Sequence, residues 1–467
     1  MTGLPPRIHP LVRAFLSREE MLAALLKRQG SPLNVVFPEI FRANAAAFQR
    51  VLDPTGLRYR ICYAHKASQA RAFVRAALAT GTGIDVASPG ELHSALAAGF
   101  PAQQVQATGP KGRSFLGTLV TSGVTINADN LWELSEIIKL ARARGGGPVP
   151  VLVRLCGFGS APRPVSRFGI PAARFDEVTG LLSASRDAVD FLGLSFHLDT
   201  GEVRDRVHAA DDCLDLFERS WAAGLAPRVL DIGGGFRQAF AERGEPFEEY
   251  ALAVRRGLAG EGRPLTWNGA TLGYRYTEDG IRGGLMSGKY SGSVSGSDLL
   301  QEILASPLPR QGGRTLARVL RENMIGLWLE PGKSLADHAG LTLTSVEFVK
   351  EASDGSILVN LDISRDKVCP ADQEVLLDPV LIHRSDHSSQ DRPAGIFFAG
   401  NLCLERDMIF NHLTFVDRVP EPGDIVAFVN TAAYQMDLSA SAALMRLPPR
   451  KAVAWSGEDG FTVHTDD

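Results

Sequence analysis

The stretch Tyr59-Arg60-Ile61-Cys62-Tyr63-Ala64-His65-Lys66-Ala67-Ser68 joins an apolar run, residues 59–63, to a lysine just past its C-terminal end. In an α/β barrel the loops that follow the strands converge on one face, where the chemistry is placed, while the opposite face serves stability. A lysine at such a strand end projects into the barrel mouth. Apolar walls there disfavour its charge and make the amine available as a nucleophile toward a carbonyl. Taken alone, Lys66 reads first as an ordinary surface lysine snorkelling off a strand end.

The same alternation recurs along the chain. Apolar or β-branched runs occur at 59–63, 83–87, 104–108, 124–127, 149–155, 191–197, 228–232 and 325–329, with helical patterns such as 69–80 and 89–98 between them. Eight strands alternating with helices predict an α/β fold, a TIM-like (β/α)8 barrel. Ser88-Pro89 reads as an N-cap followed by proline at the first helical position, with Glu91 in the first turn. Beyond about residue 339 the pattern changes to runs at 341–349, 357–361, 375–377, 395–398 and 425–428, with turns between them and few helices. A mostly β C-terminal domain is expected there.

Two further strand ends carry chemistry. Asp231-Ile232-Gly233-Gly234-Gly235-Phe236 closes the run 229–232. Without Cβ atoms, such a loop brings several backbone N–H groups onto one anionic group, at this face of a barrel a phosphate. A flexible turn has the same composition. Leu327-Trp328-Leu329 runs into Glu330-Pro331-Gly332-Lys333, which sets a carboxylate at another strand end, where a solvated acidic turn is the plain alternative.

Together these residues resemble the fold-type III decarboxylases that use pyridoxal 5'-phosphate (PLP), the family of ornithine, arginine and diaminopimelate decarboxylases. In chain order, Tyr63-Ala64-His65-Lys66-Ala67 matches the family's lysine motif, and Asp85, Ser88 and Glu91 its Asp-x-x-Ser-x-x-Glu segment. His197-Leu198-Asp199-Thr200-Gly201 is similar to its histidine motif, Gly233-Gly234-Gly235-Phe236 to its phosphate loop and Glu330-Pro331-Gly332 to its pyridine site. Gly400-Asn401-Leu402-Cys403 resembles the cysteine motif, and Gly423-Asp424 with Ala432-Ala433-Tyr434 the terminal tyrosine motif.

The resemblance implies an alanine racemase-like arrangement: a segment 1–37 joining the β domain, a PLP-binding barrel over 38–338 with an insertion near 260–310, and a β domain over 339–467. It also implies roles. Lys66 would hold the cofactor, Glu330 would pair with the ring nitrogen, and His197 would stack on the ring face. Gly233, Gly234, Gly235 and the Tyr434 hydroxyl would bind the phosphate, with Thr200 nearby. Gly332 would allow close backbone approach, and Lys333 stands where the family usually has arginine, which keeps the charge but loses the planar fork. Asp85, Glu91 and Arg154 would support this set. Cys403, supplied by the partner subunit of a homodimer, would return a proton to the α-carbon after CO2 leaves.

Composition agrees with a soluble enzyme, and the resemblance implies a small amino-acid substrate. The chain has 467 residues, 45% hydrophobic and 22% charged, too many for one ordinary core. Its net charge of -4 gives no basic footprint for nucleic acid. No run approaches the length of a membrane span, and residues 1–9 lack the apolar core of a signal peptide. Five scattered cysteines, at 62, 156, 213, 369 and 403, form no CxxC pair, which suits a reducing cytoplasm.

Specificity is where the sequence departs from the family pattern. Ornithine and diaminopimelate enzymes place an acidic residue after the cysteine to receive a distal amine, whereas here Leu404 follows, with Glu405 and Asp407 beyond it. A one-residue slip usually redirects a side chain. Between 236 and 329 the chain is also longer than the family crossing requires, and Ser287-Gly288-Lys289-Tyr290-Ser291-Gly292-Ser293-Val294-Ser295-Gly296 has the composition of a flap. This region supplies Arg275, Tyr276, Arg282 and Lys289, and Arg204 and Arg206 follow the histidine motif. Cations suit carboxylate recognition. The expected substrate therefore has an amino-acid head and an acidic or amide-bearing tail, such as the citryl-diaminopropionate intermediates of siderophore pathways. Alternatives are a diaminopimelate, ornithine or lysine decarboxylase, a racemase or epimerase, and a regulatory homologue that has lost catalysis.

Overall fold

The computed structural model describes residues 3–159, 165–200, 202–241, 245–287, 290, 294–370, 375–384, 393–439 and 441–466. The chain divides into two compact units, one of Phe41–Arg237 with Val294–Leu335 and the other of Met1–Ile40, Gln238–Ser293 and Ala336–Asp467. Among the described residues no helix is long and apolar enough to cross a membrane.

The first of these units is a closed parallel barrel. Its strands are β1 (Tyr59–Ala64), β2 (Gly83–Val86), β3 (Val105–Ala107), β4 (Thr125–Ala128), β5 (Val149–Cys156), β6 (Val189–Ser195), β7 (Val229–Asp231) and β8 (Gly326–Leu329). They pair in the order β4-β3-β2-β1-β8-β7-β6-β5, and β5 returns to β4 with Ile126 opposite Val151. Each predicted run forms one of them. The runs are continuously apolar because helices cover the outer face while side chains fill the inner one. Leu152, Leu192, Val229 and Trp328, one from each of β5 to β8, form one buried cluster. The pairing of β5 with β6 slips one residue between Val151 and Leu152, beside Gly193. A Cβ at Gly193 would lie 1.9 Å from the Val229 carbonyl oxygen, so only glycine lets β6 pass that close to β7.

Helix Pro89–Ala97 begins as its sequence predicts. Ser88 Oγ accepts the Glu91 N–H at 3.2 Å, and Glu91 Oε2 accepts the Ala87 N–H at 2.6 Å. Glu91 is thereby tied to the helix start as a capping residue.

The second unit is mostly β. Leu33–Val36 lies between Gly340–Glu351, antiparallel, and Arg450–Gly457, parallel, and the sheet extends through Ile357–Leu361, Ala394–Ala399 and Ile425–Val429. Thr414–Val416, Val380–Ile382 and Gly460–Thr465 are further strands that the sequence reading did not single out. Residues 375–377, expected as a strand, are buried but join no ladder. Their backbone is satisfied otherwise: Val375 N–H donates to Pro370 O, and Leu376 N–H to the Tyr290 hydroxyl.

The long connection differs from its expected place. Gln238–Ser293, placed inside the barrel domain by the sequence reading, belongs with the β unit, and only Val294–Leu335 with the barrel. Apolar burial is the cause. Tyr250, Leu265, Leu272 and Tyr274 share a core with Leu358, Phe397 and Leu413, and the Tyr250 hydroxyl donates to Leu413 O at 2.7 Å. The stretch forms helix Glu245–Leu258 and a hairpin, Tyr274–Thr277 with Gly280–Gly283. Half of the expected flap, Gly288, Lys289 and 291–293, lies outside the described residues, as does Gly201.

Candidate active site

At the C-terminal end of the barrel, backbone hydrogen bonds stitch neighbouring strand ends together. Ala64 N–H donates to Pro331 O, Glu330 N–H to Gly233 O, and Phe196 N–H to Asp231 O. Lys66 sits in the single turn His65–Ala67 directly after β1, with its side chain exposed. Both neighbours of the turn are held. His65 Nδ1 lies 3.2 Å from Ser68 O, which makes it the donor, and Nε2 lies 3.1 Å from Ser94 Oγ, where it accepts. Gly332 packs on the same turn, because a Cβ there would meet the Ala67 and Ala64 methyls at 2.9 and 3.1 Å. Its close approach is thus to the lysine turn.

Buried carboxylates line the interior behind Lys66. Asp85, on β2, accepts the Thr108 hydroxyl at 2.9 Å, and its Oδ1 has no partner among the described residues. Burial, then the Glu330 charge, push its carboxyl well above the ordinary range, while Lys66 pulls it down. Asp231, at the end of β7, is raised likewise by burial and then by Glu330. Gln106, on β3, donates from Nε2 to Asp231 Oδ2 at 2.8 Å and to Glu330 Oε1 at 2.6 Å. No motif drew attention to Gln106. A polar residue inside an apolar strand was its one visible signal.

The glycine loop is tight rather than loose. A Cβ on Gly233, Gly234 or Gly235 would come within 2.5 Å of the carbonyl oxygens of Phe196, Glu330 and Leu198 respectively. Two of its N–H groups are engaged inside the protein, contrary to the expectation that all three face an anion: Gly233 donates to Asp231 Oδ1 at 2.8 Å and Gly234 to His197 Nδ1 at 3.1 Å. The Gly235 N–H has no partner among the described residues. Nδ1 accepts, and burial followed by the Lys66, Arg154, Arg206 and Lys333 charges lowers the His197 pKa well below the ordinary value; both favour the neutral imidazole. Its 4.0 Å approach to Glu330 is therefore a contact between a neutral ring and a carboxylate.

Arg206 was expected to meet substrate, and its position corrects that reading. It is fully buried, and its guanidinium donates to Ile232 O, Leu198 O and Gly234 O at 3.1, 2.6 and 2.5 Å while lying over the Phe236 ring. It braces the glycine loop from below. Lys333 Nζ pairs with Asp199 at 3.1 Å, and Arg154 lies 3.6 Å from Asp129 and over the Phe168 ring. The Thr200 hydroxyl accepts the Glu202 N–H at 3.3 Å, ahead of helix Val203–Ala222.

The remaining candidates lie on the β unit. Cys403, Leu404 and Glu405 are exposed on a loop that Asp407 shapes from within: its carboxylate accepts the Leu402 and Arg365 N–H groups at 2.6 and 2.9 Å. Asp407 is therefore a loop brace. Tyr434 adopts a left-handed backbone, φ 65°. Arg275 and Tyr276 are on the exposed hairpin, where Arg275 stands directly opposite Arg282.

The barrel residues fit PLP. An exposed amine, a buried carboxylate, a neutral imidazole and a glycine cradle with an unengaged N–H all occur at one end of one barrel. Residues 39–263 match the family described as pyridoxal-dependent decarboxylase, pyridoxal binding domain. The chain is 31% identical over 446 residues to the uncharacterized protein y4yA of Sinorhizobium fredii, covering 93% of this chain and 90% of that one. It is 25% identical to the diaminopimelate decarboxylase of Bacillus subtilis, covering 88% and 83%. Among solved structures, diaminopimelate decarboxylase from M. jannaschii in complex with L-lysine superposes with a TM-score of 0.70 at 20% identity, covering 99% and 95%. Lysine/ornithine decarboxylase from Vibrio vulnificus complexed with cadaverine gives 0.66 at 20% identity, covering 93% and 97%. At such identities these two likenesses concern the fold.

Proposed function

This chain belongs to the fold-type III pyridoxal-dependent decarboxylases, and on that premise we propose that it removes the α-carboxylate of an amino acid or amino-acid conjugate whose tail bears a carboxylate or an amide. The observation that carries the decarboxylase reading is the Glu330 carboxylate, buried at the end of β8 between the Gln106 amide and His197. An anion there suits a protonated ring nitrogen, whereas a racemase-like site keeps that nitrogen neutral. PLP, when bound, supplies the sink for the electron pair left when CO2 departs.

The chain's residues prepare that step. Lys66 would hold the cofactor through its amine, which is also the nucleophile that the substrate amine must replace. Glu330 would pair with the ring nitrogen and favour its protonation, and His197, whose pKa is held well below the ordinary value, would pack against the ring without adding a cation. The Gly235 N–H and Lys333 would take the phosphate, with Gly233, Gly234 and Thr200 shaping the loops around it. Asp85 and Arg154 set the charge near Lys66 and His197. In a homodimer, Cys403 of a second copy returns a proton to the substrate α-carbon.

Two observations favour a non-basic tail. Leu404 is exposed and apolar, while Asp407 is committed to backbone N–H groups. Arg275 and Arg282 face each other across the hairpin, and because Arg282 also lies 3.6 Å from Asp279, the cation here that suits an anionic tail is Arg275. A citryl-diaminopropionate-type conjugate has both required ends. Exposed Glu405 favours the second reading, a decarboxylase of diaminopimelate, ornithine or lysine. The test supplies PLP-loaded enzyme with a carboxylated conjugate, ornithine, lysine and meso-diaminopimelate and measures CO2. Release from the conjugate alone, together with loss of the bound-cofactor absorbance in Lys66→Ala, is the expected result. Rapid release from lysine or ornithine and none from the conjugate sinks the substrate assignment, and α-proton exchange without CO2 sinks the decarboxylase.

A further inference from the structure

Gln106 has no part in the chemistry described so far, yet it joins more of the barrel interior than any motif residue. Its side chain reaches from β3 across to Asp231 on β7 and Glu330 after β8, residues separated from it by 125 and 224 positions. Its Oε1 lies 3.8 Å from Cys62 Sγ on β1. These partners decide which way the amide faces. Turned over, it would present its oxygen to two carboxylates, so the N–H groups point to Asp231 and Glu330 and the oxygen to the Cys62 thiol, which burial keeps as S–H.

The amide's two hydrogens bridge two carboxylates that also lie within hydrogen-bonding reach of each other. Carboxylates sharing a buried site cannot both ionise easily, and without a bridging donor they share one proton. The groups facing this pair are Asp85 from β2, Cys62 from β1 with Arg60 two residues before it, Lys66 beyond it, and His197 from the end of β6. Of these Lys66 and Arg60 are cations, Lys66 acting on Asp85 and His197 and Arg60 on Cys62.

We propose that Gln106 is a positioning residue: by giving one N–H to Asp231 and the other to Glu330, it leaves Glu330 as a fixed carboxylate available to the ring nitrogen. This rests on Glu330 being the ring-nitrogen partner. Asp231 in turn holds the Gly233 N–H, so the same amide couples the nitrogen partner to the glycine loop.

The test uses apoprotein titrated with PLP from about pH 6 to about pH 9, following affinity and the bound-cofactor spectrum, with the apoprotein thermal midpoint as the check on folding. The variants are Gln106→Met, which keeps the volume and removes both donors, Gln106→Met combined with Asp231→Asn, and Glu330→Gln. Gln106→Met is expected to weaken PLP binding at neutral pH by about tenfold, equivalent to about one pH unit of misplaced proton, with the deficit narrowing as pH rises. Adding Asp231→Asn removes the competing carboxylate and supplies an amide beside Glu330, so affinity and spectrum return toward wild type. Unchanged binding in Gln106→Met while Glu330→Gln is impaired overturns the role of Gln106 and leaves Glu330 in place. A pH-independent loss that Asp231→Asn does not relieve also overturns it, because simple packing then explains Gln106. Wild-type affinity and spectrum in Glu330→Gln overturn the ring-nitrogen reading together with the proposal.

Discussion

Removing the brace under the glycine loop, by Arg206→Met, tests the link between fold and site most directly. Arg206 gives three hydrogen bonds to carbonyls that nothing else in the loop satisfies in the same way, and it does so with no solvent exposure. Burial costs this guanidinium enough to pull its pKa down to about 10. Each orphaned carbonyl costs about 1–3 kcal/mol, and methionine relieves the desolvation of the charge, so the net loss is on the order of 3 kcal/mol. A two-unit chain need not unfold in one step, so the loss is best read locally. Hydrogen exchange at the Gly233 and Gly234 amides reports the opening free energy of the loop, and PLP titration reports its competence. Both should deteriorate together, while exchange in the β unit stays unchanged. Arg206→Lys should recover part of the loss, since an ammonium keeps the charge but cannot span three carbonyls as a planar fork does. Protection and PLP affinity both remaining at wild-type values in Arg206→Met would refute the reasoning, because the buried guanidinium would then be packing without bracing.

Other consequences follow from single contacts. Gly234→Ala places a methyl 2.3 Å from the Glu330 carbonyl and should cost about 1–3 kcal/mol and weaken PLP binding. Gly90→Ala, where the nearest atom is 3.9 Å away, should be silent in the same assays. Asp337 has its carboxyl pushed up to about 7, first by burial. A raised folded-state value means that its stabilising share is complete below about pH 4 and is lost as pH rises through about 7, so Asp337→Asn should melt higher than wild type at about pH 8 but not at about pH 4. His197, held neutral, should show no imidazole titration by NMR between about pH 6 and about pH 8. An imidazolium signal in that interval contradicts its role as acceptor for the Gly234 N–H.

The barrel was readable because each of its eight strands is a short apolar run and each run but the last is followed by a helix. Residues at strand ends were equally readable: Lys66, His197, Gly233 and Glu330 stand just past the runs that carry them. The connection from Gln238 to Ser293 was not. Its helix and hairpin show amphipathic surfaces without saying which core they cover, and Tyr250 and Tyr274 reach theirs through Leu358, Phe397 and Leu413, far along the chain. Arg206 misled for a related reason, since a helical arginine in sequence gives no sign of whether it faces solvent or the carbonyls beneath a loop.

The sequence by itself determined the alternation of strand and helix, the family, the cofactor and the polar groups that stand at the barrel mouth. Only the tertiary structure decided which of those groups meet. A parallel strand buried on both faces carries no polar alternation, so nothing in the run around Gln106 says which side chains point inward. Closure of the barrel makes that choice, and with it Gln106 comes to lie between Asp231 and Glu330.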